Sequence, residues 1–160
     1  MDDALARLKE LRAKLIAQEN VSEHNLKVGD IIYVSLGSDD GLILRDGFST
    51  RYKYLVIVGF TSDGNIIGSL LINSNINQQK WSQEFLDCQY PLLHKHYLHI
   101  LDYTSWLDCT ELFEFGADAL AKRGALLKGA LTEEDKQNVL TMLRNSEVID
   151  KATKRRFGLL

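Results

Sequence analysis

Near the start of the chain, apolar residues recur every three or four positions. Leu5, Leu8, Leu11, Leu15 and Ile16 alternate there with Arg7, Lys9, Glu10, Arg12 and Lys14. That period predicts an amphipathic helix over about residues 1–20. Asp2 and Asp3 stand at its beginning, where the helix dipole favours negative charge. The first expectation is a helix packed on its own domain, and the alternative is a partner-binding or dimerising helix.

After "NVSEHN" the pattern changes. "VGDIIYVSL", "GLILR" (41–45), "YKYLVIVGF" and "IIGSLLIN" are short runs rich in β-branched and aromatic residues. Turn chemistry in "GSDDG" and "TSDGN" separates them, and the Asp-Gly of the second predicts a hairpin. Short strands at this spacing favour a small antiparallel sheet or barrel over a βαβ fold. Residues 75–96 are polar and hold the only proline, Pro91. They are expected to form a long connection over one barrel face, with a short helix around Gln78–Leu86. "HYLHILD" and "SWLDCTELFEF" then resume as strands, with a turn near Asp102–Thr104. In the tail, Thr132 is the expected N-cap of a helix. Glu133, Glu134 and Asp135 fall in its first turn, and Val139, Leu140, Met142 and Leu143 form its buried stripe, with an end at Asn145 or Ser146.

These elements predict a mainly β chain with flanking helices. At 160 residues, 45% apolar and 26% charged, one domain is expected. It divides into an N-terminal helix (1–20), a barrel (28–115) with the 75–96 insertion, and a helical tail (131–160). The net charge of −3 is unevenly spread. Residues 28–115 hold eleven acids against five bases, whereas residues 116–160 hold nine bases against six acids. A polyanion is repelled by the first and drawn to the second. No apolar run approaches the roughly 20 residues of a membrane span. The charges scattered through "MDDALARLKELRAKL" argue against a secretory signal. Cys88 and Cys109 lie far apart, so reduced thiols and a cytoplasmic location are expected.

His94, His96 and His99 cluster near Cys88 and Asp102, but no fourth ligand sits at a recognised spacing, so no metal is expected. GxSxG, P-loop, HExxH and GxGxxG signatures are absent from the sequence. Two basic groups remain. Arg51 and Lys53 precede the apolar run "LVIVG", as solvated residues or as residues held to meet an anion. "KATKRRFGLL" carries Lys151, Lys154, Arg155 and Arg156 ahead of Phe157. A polyphosphate is attracted to such a cluster, and a solvated helix face or frayed end explains the same charges.

The order of motifs resembles the MazF/PemK-like toxins over roughly residues 28–145. A "GD-I-x-x-V" strand comes first, then Arg51 opening an apolar strand, then a hairpin strand ending in small polar residues. "SWLDCTELFEF" is similar to that family's Asp-Cys-Ser-like strand, and "KGALTEEDKQNVLTML" to its closing Gly-x-Leu-[Ser/Thr]-x-x-Asp helix. The resemblance implies a small antiparallel SH3-like barrel, a homodimer, and an endoribonuclease acting without metal or other cofactor. It places Gly29 and Asp30 at the start of the first strand. It makes Arg51 the catalytic arginine and Ser74 or Asn73 its hydroxyl or amide partner. In that reading Arg51 neutralises charge growing on a phosphate, Ser74 or Asn73 donates to a non-bridging oxygen, and the RNA 2′-hydroxyl is the nucleophile. Lys53, Arg155 and Arg156 would hold the RNA, and a cognate antitoxin would be the protein partner. The alternative is a non-catalytic interaction module that presents an acidic barrel face and the N-terminal helix to another protein.

Overall fold

The computed structural model describes residues 2–21, 26–40, 50–76 and 79–160, and of residues 2 and 13–19 the backbone alone. Strand β1 (Asp30–Gly37) pairs antiparallel with β2 (Thr50–Phe60), setting Ile31 opposite Val56 and Tyr33 opposite Tyr54. A tight turn joins β2 to β3 (Ile66–Asn73), as the Asp-Gly pair predicts. The Asp63 carboxylate accepts from the Thr61 hydroxyl at 2.7 Å and from the Asn65 N–H at 2.9 Å. Gly64 supplies the positive φ of +76° that the turn requires. "GLILR" lies outside the described residues.

The second edge of β3 is divided. Ile66–Ser69 pair with β6 (Phe113–Gly116), while Ile72 and Asn73 pair with β5 (Ser105–Asp108). "SWLDCTELFEF" is therefore two strands rather than one. Asp108 ends the first by accepting from the Thr110 N–H and hydroxyl at 3.0 and 2.6 Å, which turns the chain away from the ladder. The expected 75–96 connection is also corrected in part. Gln89–Leu92 form strand β4 on the edge beside β5, where Pro91 forfeits no interior ladder bond. Helix α2 spans Gln83–Asp87, later than expected, because Ser82 caps it by accepting from the Phe85 N–H. "HYLHILD" makes no strand: the Tyr97 carbonyl accepts from the N–H groups of both Ile100 and Leu101, curling the segment into turns. Helix α3 (Ala117–Lys122) and strand β7 (Leu126–Ala130), which pairs with the far edge of β1, were not anticipated. The result is an antiparallel half-barrel in the order β4-β5-β3-β2-β1-β7, with β6 beside β3 and helices at both ends.

The central strands read as continuous apolar runs because both sheet faces are covered. Ile31, Val56, Leu70 and Ile72 pack with Val139 and Leu143 of α4 (Glu133–Asn145) and with Phe157. Ile32, Val34, Leu55 and Ile57 pack on the other face with Phe113, Phe115 and Leu120 of α3. Each such side chain, fully buried, contributes about 1.5–3 kcal/mol. Thr132 caps α4 as expected, its hydroxyl accepting from the Asp135 N–H.

Asp135 also ties α4 to the β4–β5 side. Its carboxylate accepts from Tyr90 at 2.6 Å and Tyr97 at 2.5 Å, and the Tyr97 oxygen accepts from the Thr132 N–H at 3.1 Å. Burial first, then the bond to Asp135, push the Tyr97 phenol up to about 12. Because the folded form holds that proton more tightly, the stability it carries is full below pH ~10 and is lost as pH rises towards ~12. We expect a loss of about 2–3 kcal/mol across that window, measured by denaturant titration, and a markedly smaller loss in Tyr97→Phe.

The C-terminal segment is not a frayed end. Helix α5 (Lys151–Arg156) is capped by Asp150, which accepts from the Thr153 N–H at 2.7 Å. Lys154 is 5% exposed and donates to the carbonyls of Arg144 and Ser146 at the end of α4. Phe157 lies over Gly59 and Gly68.

Helix α1 (Asp2–Glu19) forms as predicted, but the side chains of residues 3–12 do not pack on the domain as expected. Its C-terminal end meets β7 through the Asn20–Leu126 bridge and the Val21 N–H to Ala125 carbonyl bond. Leu5, Leu8 and Leu11 are 55%, 63% and 57% exposed.

Candidate functional site

Lys53 marks the level at which β3 stops. Leu55 pairs with Leu71, so two positions further Lys53 stands level with Asn73, the last residue of β3. The Lys53 ammonium donates to Asn73 Oδ1 at 3.4 Å. Arg51 and Tyr52 continue past that point, still paired with Leu36 and Ser35 of β1 but with no β3 neighbour. A concavity of about 150 Å³ opens along this edge. Arg51, Tyr52, Lys53 and Tyr54 of β2 contribute to it, and Arg51, Lys53 and Ser74 line it together. Alternation gives Arg51 and Lys53 one face and Tyr52 and Tyr54 the other.

Tyrosines supply much of the remaining wall. The Tyr33 ring stacks on Tyr52 with centroids 5.0 Å apart, and its centroid lies 4.6 Å from that of Tyr54. Tyr52 is 60% exposed at the end of this ladder. Asp102, Tyr103 and Ser105 close the far side. Burial first, then the neighbouring Arg51 charge, hold the Lys53 ammonium below its ordinary range. An arriving anion relieves the second of these. Burial, Tyr33 and Asp102, in that order, raise the Tyr54 phenol. Among the described residues neither Arg51 nor Lys53 takes part in an ion pair.

Of the residues expected at a site, Arg51, Lys53 and Ser74 thus meet in one concavity, and Asn73 is bonded to Lys53. Arg155 and Arg156 do not join them. Their helix packs where Gly59 pairs with Gly68, about 20 Å along β2 from Lys53. Arg156 is engaged there with Glu114 and lies over the Phe157 ring, its guanidinium carbon 5.2 Å from the centroid. Sequence reading missed Tyr33, Tyr52, Tyr54 and Asp102. The i, i+2 spacing of Tyr52 and Tyr54 was the available signal, since it places both rings on one face.

No protein-family model matches this chain, and the search of curated proteins finds no match.

A second cavity lies between the Cys88–Cys109 corner and the end of α4, lined by Glu84, Asp87, Met142 and Val148. Both thiols are free, and burial raises both, Cys109 to about 12. They are therefore poor nucleophiles near neutral pH. Among the described residues no three His, Cys, Asp or Glu side chains gather so as to hold a metal. No described helix is long and apolar enough to cross a membrane.

Proposed function

We propose that the concavity at the end of β2 holds single-stranded RNA and that the protein is a MazF/PemK-like endoribonuclease working without metal. The observation that carries this reading is the meeting of Arg51, Lys53 and Ser74 at one strand edge beside the stacked tyrosines. Two cations there suit a phosphate, and the free face of Tyr52 suits a base. In this reading the adjacent 2′-hydroxyl attacks the phosphorus as the P–O5′ bond breaks, leaving a 2′,3′-cyclic phosphate and a 5′-hydroxyl. The 2′-hydroxyl loses its proton and the departing O5′ takes one up. Arg51 neutralises the charge that grows on the phosphate, and the Ser74 hydroxyl donates to a non-bridging oxygen. Lys53, steadied by Asn73, holds the phosphate on the 3′ or 5′ side. A homodimer, a cognate antitoxin and a cytoplasmic location belong to the same reading.

The test is cleavage of mixed-sequence RNA at low salt by chelator-treated protein. The parent should cleave, and Arg51→Ala should lose about a hundredfold in rate, about 2.7 kcal/mol of transition-state stabilisation. Arg155→Ala, remote from the concavity, should stay within about twofold of the parent. No cleavage by the parent, or equal cleavage by Arg51→Ala, would sink the ribonuclease reading.

A further inference from the structure

Every described side chain from Asp3 to Arg12 on α1 is exposed. Most helical stability in proteins comes from covering an apolar face. Leu5, Leu8 and Leu11 are all exposed, and Leu5 and Leu11 lie about 60° to either side of Leu8 around the helix axis, forming one stripe. Among residues 3–12 the charges around that stripe are sorted. Arg7 and Lys9 lie about 100° from Leu8 on opposite sides, and Arg12 lies about 40° from it. Glu10 and Asp3 lie about 140–160° away, on the back. The stripe is therefore bordered by cations on both sides.

We infer that α1 is a docking helix for an acidic amphipathic helix of another protein, one whose leucine-type seam is flanked by Glu or Asp. The inference does not depend on the RNA reading. Charge complementarity selects this occupant over the others. A second copy of α1 brings cations against cations in either orientation, which costs rather than gains. A lipid surface suits α1 less well, because the helix has no Trp or Phe to seat at the interface, and its four acids balance its four bases. An acidic partner instead covers Leu5, Leu8 and Leu11 and pairs Arg7, Lys9 and Arg12 from both flanks.

The test uses the full chain and two synthetic peptides of about four heptads, identical in their leucine seam, one flanked by Glu and one by Lys. By fluorescence anisotropy at low salt the Glu peptide should bind at least about tenfold more tightly, and the gap should shrink in ~0.5 M salt. Leu8→Gln/Leu11→Gln, which keeps helix propensity, should abolish binding while leaving the unfolding midpoint unchanged. Arg7→Glu/Lys9→Glu/Arg12→Glu should reverse the preference. Four results would overturn the inference. They are equal binding of the two peptides, no binding of either, a dimer of the parent that Leu8→Gln/Leu11→Gln dissolves, and binding to phosphatidylserine vesicles as tight as to the Glu peptide.

Discussion

Replacing Phe157 with alanine should lower stability by about 3–5 kcal/mol. The ring is 2% exposed and belongs to the cluster formed by Val56, Val58, Leu70 and the α4 residues. It reaches the sheet only because Gly59 and Gly68, paired across β2 and β3, leave a notch without side chains. A Cβ on Gly59 would stand 2.3 Å from the Phe157 carbonyl oxygen, and one on Gly68 would stand 2.9 Å from the ring. Phe157→Ala therefore removes a buried aromatic and empties a notch whose walls have no side chains to collapse into it. Denaturant unfolding should show a reduced midpoint, and thermal unfolding a fall of roughly 10 °C. The converse change, Gly59→Ala, fills the notch and should displace the C-terminal segment. A Phe157→Ala variant as stable as the parent would mean that the segment is not docked.

Lys154→Met should cost about 3 kcal/mol without altering the volume of the side chain greatly. The ammonium is buried and donates to the Arg144 and Ser146 carbonyls at 3.0 and 2.5 Å, both at the C-terminal end of α4. Those are backbone acceptors that the helix itself leaves unsatisfied, at its negative dipole end. Methionine fills the space but donates nothing, so two carbonyls lose charge-assisted bonds in a site largely closed to water. Equilibrium unfolding would measure the loss. Because the charge is buried, the loss should change little between low and high salt, unlike that of a surface pair. An effect under about 0.5 kcal/mol would show that water replaces the ammonium readily.

Lys154 and Arg156, read in the sequence as part of a basic cluster, are occupied in holding the fold: one caps α4 and the other pairs with Glu114. Composition alone counts all four bases of "KATKRRFGLL" as available for an anion. The structure withdraws Lys154 outright and leaves Arg51 and Lys53 as the cations beside the tyrosine ladder.

Features whose causes are local were legible in the residues alone. The 3.6-residue period of α1, the Asp63-Gly64 hairpin and the Thr132 cap each rest on a few adjacent residues, and the structure has all three. The apolar strands β1, β2 and β3 were likewise legible from their β-branched runs. Which edges those strands share depends on contacts between distant segments. β3 carries no mark that its first half will pair with β6 and its second with β5, because that choice is made by residues more than 30 positions away. The site inherits that uncertainty. Arg51 and Ser74 meet because β3 ends two residues short of Arg51, and Tyr33 joins them because β1 pairs with β2 in one particular register. The exposure of α1 was also beyond the sequence, since a leucine stripe has the same period whether or not anything covers it. Local pattern fixes which face of an element is apolar, and only the packing of distant segments decides what that face meets.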